Sequence, residues 1–208
     1  MKVKVLNTSG AETGKEVNLP KNVFGVEPND HAIYLDVKQF RANQRQGTHK
    51  TKDKSEVTAS TRKIKKQKGT GTARAGSVKS GVMRGGGRFH GPRPRDYSFK
   101  LNKKLKQLAR KSALSYKAKD KEVYVIDSIA MDSAKTKEYA SVLANLKLDG
   151  RRTLMVIPSH DMNVYRSARN IPNAEVMVAS DINTYEILKA KSLILVEDSI
   201  TKIKETLN

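Results

Sequence analysis

Residues 41–100 most constrain what this chain can fold into. This basic stretch of 60 residues holds 17 Lys or Arg, three acids and nine of the protein's 13 glycines. Only 12 of its residues are apolar, which is too few to bury a core. Its own packing therefore cannot offset the entropy that is lost when it becomes ordered. We expect it to become ordered on a polyanionic partner.

The net charge of +20 lies entirely in residues 41–120, which hold 24 basic and four acidic side chains. The rest of the chain is neutral, with 17 side chains of each sign. A basic block joined to a neutral remainder indicates a polyphosphate or an anionic membrane surface as partner. The Gly, Pro and Thr residues of the block do not repeat with a helical period, which disfavours an amphipathic membrane helix. Nucleic acid is the predicted partner.

The chain contains no cysteine, which excludes disulfides and thiolate metal sites and fits a reducing compartment. Residues 1–7 lack the apolar core of a signal peptide. No run approaches the ~18 apolar residues that would span a bilayer. We therefore expect a soluble protein of the cytoplasm, with no membrane partner.

Outside the basic stretch, the sequence predicts one globular α/β domain built from residues 1–40 and 101–208. Four short apolar runs predict strands, and nearly continuous apolar runs are typical of parallel strands that are covered on both faces. The runs are residues 123–126, 154–157, 176–179 and 193–196. Segments with helical spacing separate them. We expect a mostly parallel sheet flanked by helices, with residues 41–100 inserted as a long, extended, irregular loop after the N-terminal segment.

The N-terminal segment predicts a hairpin followed by an ambiguous element. Alternating Lys and Val at residues 2–6 predict a strand, with residues 16–19 as its partner. Asn29 or Asp30 can then cap a helix. The apolar face of that helix would be Ile33, Val37 and Phe40. Alternation through Leu35 would also suit a strand, and length favours the helix.

Helical spacing also predicts the helices of the domain. From residue 101, an apolar stripe runs along a helix whose other faces are basic. The stripe is Leu101, Leu105, Leu108, Ala109, Ala113 and Tyr116, and the basic side chains are Lys103, Lys104, Lys106, Arg110, Lys111 and Lys117. We expect this basic surface to be solvated and partly in contact with the polyanion. Later helices have apolar positions at Tyr139, Val142, Leu143 and Leu146, at Val164, Tyr165 and Ala168, at Tyr185 and Leu188, and at Ile200, Ile203 and Leu207.

No catalytic or cofactor motif emerges from the sequence. Ser159-His160-Asp161 has the residue types of a hydrolytic triad, but three consecutive residues cannot readily form the required relay, and Asp161 is expected to cap a helix. Gly69-Thr70-Gly71 lacks the third glycine of a dinucleotide fingerprint and the Gly-Lys-Ser/Thr end of a Walker loop. The four histidines have no metal-site spacing. We predict no enzyme activity, no cofactor and no metal site.

The remaining signal is basic residues mixed with glycines. Arginine supplies a planar donor fork for phosphate, and glycine lets backbone N–H groups approach phosphate without a Cβ in the way. Phe89 can stack on an unpaired base, whereas Tyr97 and Phe99 are expected to anchor the ends of the loop.

In the basic stretch and the residues that follow it, the sequence resembles the large-subunit ribosomal protein L-four family in its bacterial form. The motifs that carry the resemblance are Gln44-Arg45-Gln46-Gly47-Thr48-His49-Lys50-Thr51-Lys52, Gln67-Lys68-Gly69-Thr70-Gly71, Arg84-Gly85-Gly86-Gly87, Gly91-Pro92-Arg93-Pro94-Arg95-Asp96-Tyr97-Ser98 and Leu101-Asn102-Lys103-Lys104. Together with the α/β C-terminal half, they extend the resemblance over essentially the whole chain.

The resemblance implies a structural constituent of the large ribosomal subunit that binds its ribosomal RNA and acts early in subunit assembly. It implies that the loop tip, Gln67, Lys68, Gly69, Thr70 and Gly71, lines the polypeptide exit tunnel beside large-subunit protein twenty-two. Binding of the chain's own message is a possible side activity in the family. The implied rRNA-binding residues are Arg45, His49, Lys50, Lys52, Arg62, Lys63, Lys65, Lys66, Lys68, Arg74, Lys79, Arg84, Arg88, Arg93, Arg95, Lys103 and Lys104.

The chain departs from the family pattern before and after the tip. That pattern is commonly Pro-Trp-Arg-Gln-Lys-Gly-Thr-Gly-Arg-Ala-Arg. Here Ile64 and Lys65 replace Pro-Trp, Lys66 replaces the first Arg, and Thr72 replaces the Arg after the second Gly. A tryptophan stacking contact and one bidentate arginine contact are therefore lost.

Two other classes of function are alternatives to a ribosomal role. A nuclease or RNA-modifying enzyme would use the α/β domain for catalysis, and would need clustered acids or a cofactor loop at the strand ends. A free regulatory RNA-binding protein would act away from the ribosome, and co-sedimentation with large subunits distinguishes it from a ribosomal component.

Overall fold

The computed structural model describes residues 1–207, which separate into two compact units. The first unit, here called the body, comprises Met1–Arg41 and the chain from Lys100 onward. The second unit, here called the loop unit, is Ala42–Phe99. The described residues contain six strands and seven helices. In chain order these are β1 (Lys2–Leu6), β2 (Glu12–Asn18), α1 (Lys21–Phe24), α2 (Asp30–Asn43), α3 (Lys103–Lys119), β3 (Val123–Ile126), α4 (Thr136–Asn145), β4 (Thr153–Ile157), α5 (Met162–Ala168), β5 (Ala174–Val178), α6 (Thr184–Lys189), β6 (Ser192–Val196) and α7 (Glu197–Leu207).

The body is built on one six-stranded sheet in the order β2-β1-β3-β6-β4-β5. Only the β1–β2 hairpin is antiparallel, and every other neighbouring pair is parallel. The predicted α/β class with a mostly parallel sheet is therefore confirmed. The four predicted C-terminal strands and the N-terminal hairpin all form. Five strands start within two residues of the predicted position, and β2 starts four residues earlier than predicted, at Glu12.

Alternate residues of a strand point to opposite faces of the sheet, so each face carries its own set of apolar side chains. Helices cover both faces. In β6, Leu193 and Leu195 enter one apolar cluster, and Ile194 and Val196 enter the other. The first cluster also takes buried residues of α1, α3, α6 and α7, whereas the second takes those of α4 and α5. All 10 residues of the neighbouring interior strands β6 and β4 are buried. This two-sided burial explains why these strands read as continuous apolar runs.

The predicted helix caps are confirmed where the structure tests them. The side chain of Asn29 accepts a hydrogen bond from the backbone N–H of Ala32 at the start of α2. Asp161 accepts from the backbone N–H groups of Asn163, at 2.8 Å, and of Val164, at 3.3 Å. The acid of the Ser159-His160-Asp161 triplet is therefore a helix cap.

Four details of the body differ from the sequence-based expectations. In α5, the predicted apolar residue Tyr165 is exposed. The short helix α1 was not predicted. In α6, the buried residues are Thr184 and Ile187, whereas the predicted Leu188 is exposed. In α3, Lys117 is not on a solvated face. It is 9% exposed, and its ammonium donates to Glu122 at 2.8 Å and to the carbonyl of Lys191 at 3.1 Å.

The loop unit contains no strand, and no hydrophobic side chain of Ala42–Phe99 is buried. Its order comes from backbone hydrogen bonds between an outgoing and a returning arm. Arg95 N–H donates to the Gly47 carbonyl at 3.2 Å, and Ile64 N–H donates to the Gly76 carbonyl at 3.0 Å. Two further bonds join Thr51 to Pro92 and Arg88 to Lys52. The chain therefore reverses between residues 64 and 76, and the segment around Gly69 is its tip.

Candidate nucleic-acid interface

The predicted RNA-binding side chains of the loop unit lie on its surface. All of them are exposed except Lys79, which is half-buried. The five tip residues, Gln67, Lys68, Gly69, Thr70 and Gly71, are also exposed. Because they are exposed, most of these side chains can contact a large ligand.

The two arms meet at Tyr97. The guanidinium carbon of Arg45 lies 3.8 Å from the centroid of the Tyr97 ring, and that of Arg95 lies 4.6 Å from it. The Tyr97 hydroxyl is 3.3 Å from Nε2 of His49. A hydrogen bond with Arg95 and the positive charges of Arg95 and Arg45 lower the pKa of Tyr97. Three predicted binding residues, two from the outgoing arm and one from the returning arm, are thus gathered around one ring.

Gly47 is required at this meeting point. Its φ is +64°, and a Cβ there would lie 2.1 Å from the Arg95 carbonyl oxygen and 2.9 Å from the Tyr97 ring. The sequence analysis predicted that the glycines let backbone N–H groups approach phosphate. Here the absent side chain of Gly47 lets the two arms approach each other.

Gly69 and Gly71 serve a different purpose at the tip. Both have positive φ, +79° and +62°, and a Cβ at either position would meet nothing within 4 Å. They therefore reverse the chain without any close packing. Lys65 and Thr72 join across the base of the tip, where the Lys65 ammonium donates to Thr72 Oγ1 at 2.9 Å. These are two of the positions at which the chain departs from the family pattern.

Acidic side chains within the loop unit partly neutralise two predicted binding residues. Arg93 donates to Asp53 at 2.6 Å, and Lys50 pairs with Glu56. The hydrogen bond from Lys50 is the main cause that lowers the pKa of Glu56. Exposed ion pairs of this kind contribute little free energy, so a phosphate can replace the carboxylate without large cost. Both cations therefore remain available.

A cavity of about 870 Å³ opens between the arms midway along the loop unit. Its walls include four cations, Lys54, Lys79, Arg88 and Arg93, and the ring of Phe89. Lys54 was absent from the predicted binding residues. Lys54 follows Lys50 and Lys52 at the same two-residue spacing, and that pattern could have indicated it as a binding residue.

Lys103 and Lys104 belong to the body, in the first turn of α3, and both are exposed. That turn has no acidic residue, and no side chain caps it. The helix dipole disfavours cations at this end, so the two lysines make a positive terminus that an anion would stabilise.

No group of His, Asp or Glu among residues 1–207 is arranged to hold a metal ion. In the same part of the chain, no helix has both the length and the apolar character needed to cross a membrane.

A well-packed α/β body joined to a coreless cationic loop defines a class of basic proteins that carry a polycationic insertion. Comparison with known proteins narrows the class. The family "Ribosomal protein L4/L1 family" matches residues 17–206, so the chain belongs to that family.

Individual relatives match over their whole length. Large ribosomal subunit protein uL4 of Christiangramia forsetii is 54% identical over 208 residues, which is all of both chains. The protein of the same name from Phocaeicola vulgatus is 53% identical over all of both chains. That from Parabacteroides distasonis is 54% identical over 205 residues, 99% of this chain and 98% of the relative.

Membership confirms the resemblance seen in the motifs. It makes the chain a ribosomal protein of the large subunit, with a structural role in translation rather than an enzymatic one. The predicted location on the ribosome of the cytoplasm is confirmed with it. The nuclease or modifying-enzyme alternative is therefore wrong.

Proposed function

We propose that the loop unit binds large-subunit ribosomal RNA, and that this binding fixes the protein in the large subunit. One observation carries the proposal. No hydrophobic side chain of Ala42–Phe99 is buried, yet its surface is lined with exposed Lys and Arg. When such a surface binds RNA, the release of counterions from the RNA phosphates supplies favourable free energy of binding.

Most of the binding residues lie in three groups along the loop unit. The first surrounds Tyr97, the second lines the cavity between the arms, and the third extends from residue 62 to residue 74 around the tip. Lys103 and Lys104 add a fourth contact from the body. These groups follow the backbone of a folded RNA, with phosphate contacts setting position and few contacts reading sequence.

The tip forms part of the polypeptide exit tunnel, beside protein twenty-two. Family membership supports this proposal, and so does the exposure of all five tip residues. The open space around Gly69 and Gly71 leaves the tip free to adapt to surrounding RNA.

The protein acts early in subunit assembly. A loop that lacks a core needs RNA around it, and it can be enclosed most readily before the RNA has compacted. The same surface binds the protein's own message as a side activity, because phosphate contacts do not distinguish one structured RNA from another.

The test is binding of the intact chain to naked large-subunit ribosomal RNA at rising salt. If six to ten phosphates are contacted, affinity falls by about three to five orders of magnitude between ~50 and ~200 mM salt. A variant in which a short Gly/Ser bridge replaces residues 42–96 is the control, and it should lose both the affinity and co-sedimentation with large subunits. A flat salt profile, or a loop-deleted variant that still binds, would contradict the proposal.

A further inference from the structure

The cavity between the two arms has an aromatic wall. Phe89 lines it and is 59% exposed. An exposed aromatic ring is unfavourable in water, because its apolar surface is not buried. The loop unit offers it no core to enter. The ring is therefore available to a ligand from outside this chain.

The ring is held in position by its neighbours. One edge rests against Gly81, where a Cβ would lie 2.3 Å from the Phe89 ring. The adjacent Arg88 donates its backbone N–H to Lys52 on the other arm at 2.9 Å. On the other side, His90 has a φ of +50°, which is uncommon for a residue with a side chain. This turn fixes the course of the chain directly after the ring.

The charges around the ring specify the ligand. Lys54, Lys79, Arg88 and Arg93 line the cavity, and its single acid, Asp53, is already paired with Arg93. The cavity volume of about 870 Å³ lies within the range of small-molecule sites. A flat apolar face surrounded by cations matches a nucleotide, whose base stacks while its phosphates meet the charges.

We propose that this cavity receives a single unpaired nucleotide of the bound RNA, with its base stacked on Phe89. The proposal rests on the RNA-binding function above and adds to it a specific subsite. A perfectly paired helix keeps its bases inside the stack, so only a bulged or looped-out nucleotide can enter. Phe89 thereby makes the loop unit prefer irregular RNA, which phosphate contacts alone do not do.

The experiment compares two RNA probes with the intact chain at ~200 mM salt, where phosphate contacts are weakened. One probe is a short, perfectly paired RNA duplex, and the other is the same duplex with one bulged uridine. Phe89→Ala and Phe89→Leu remove the ring, and Phe89→Tyr keeps it. Val82→Ala is the matched control, because Val82 is 86% exposed in the same segment and does not line the cavity.

The wild-type chain should bind the bulged duplex more tightly than the paired one. Loss of a base–aromatic stack should weaken binding to the bulged duplex by about 5- to 100-fold in Phe89→Ala and Phe89→Leu, and leave binding to the paired duplex nearly unchanged. Phe89→Tyr and Val82→Ala should keep the preference. An unchanged preference in Phe89→Leu, or an equal loss on both probes in Phe89→Ala, overturns the inference.

Failure of the inference is distinguishable from failure of the proposed function. A wild-type chain that binds both probes with strong salt dependence but without preference overturns the subsite alone. A chain that binds neither probe at any salt concentration overturns RNA binding, and the subsite with it. Arg88→Gln, which changes charge at the cavity, should weaken binding to both probes and reduce the salt slope.

Discussion

The guanidinium of Arg45 lies 3.8 Å from the ring centroid of Tyr97, so a residue of the outgoing arm is stacked on a residue of the returning arm. Arg95 approaches the same ring at 4.6 Å. Two like charges are thus brought together by one aromatic side chain, which attracts cations through its negative face. In the absence of RNA, this contact joins the arms of a loop unit that has no core.

Tyr97→Ala should therefore loosen the loop unit without affecting the body. We expect cleavage of residues 42–99 by a protease to become about three- to tenfold faster, because two cation–π contacts are lost. Tyr97→Phe is the control, since it keeps the ring and loses only the hydroxyl contacts with His49 and Arg95. Limited proteolysis followed by mass spectrometry measures both, and equal rates for the two variants would show that the ring does not join the arms.

Gly47→Ala should disturb the meeting point of the arms more than Gly71→Ala disturbs the tip. Both positions have positive φ, but only at Gly47 would the added Cβ collide with another segment, at 2.1 Å from the Arg95 carbonyl oxygen. The amide of Arg95, which donates to the Gly47 carbonyl, should lose protection in hydrogen exchange in Gly47→Ala alone. The hypothesis is wrong if both alanines leave that amide equally protected.

The body should fold without the loop unit, because its two apolar clusters draw on no residue of Ala42–Phe99. A short Gly/Ser bridge in place of residues 42–96 should leave a cooperative thermal transition and a circular dichroism spectrum of helix plus strand. A broad, non-cooperative transition would mean that the loop unit contributes to the core after all.

Lys117→Ala should destabilise the body by roughly 1–3 kcal/mol, because Glu122 and the Lys191 carbonyl lose a buried charged donor. Lys119→Ala, at an exposed position in the same helix, should change the free energy of unfolding by less than about 0.5 kcal/mol. Urea unfolding of the two variants makes the comparison. Equal effects of the two substitutions would contradict the buried ion pair and support the solvated position that the helical pattern predicted for Lys117.

Lys68→Glu tests the proposed place of the tip. Lys68 is one exposed cation among many, so subunits should assemble nearly normally. Because the proposed place of the tip is the tunnel wall, sensitivity to macrolide antibiotics that bind in the tunnel, or stalling by tunnel-sensing nascent peptides, should change. Lys137→Glu, a charge reversal of an exposed lysine in α4 of the body, is the control and should leave drug sensitivity and stalling unchanged. Assembly failure with a normal drug response would place Lys68 in a structural RNA contact instead.

Much of the fold could be predicted from the sequence, because burial on both faces leaves an unmistakable pattern. β4 and β6 read as continuous apolar runs, and Asp161 stands where a cap is needed. The errors concern side chains whose surroundings come from distant segments. Lys117 follows the basic pattern of α3, but Glu122 and the carbonyl of Lys191 bury it. Leu188 has the spacing of an apolar face, yet Thr184 and Ile187 take the interior positions.

For the interface, the sequence by itself determined where the charge lies and that residues 41–100 could not form a core. Both properties follow from composition, which is independent of how the chain is folded. Only the tertiary structure decided which residues meet, because contacts such as Arg45 with Tyr97 and Phe89 with Gly81 join positions far apart or across a turn. Their partners depend on where the arms pair, and no local pattern encodes that register. The cavity around Phe89 and the close approach at Gly47 exist only once the two arms lie side by side.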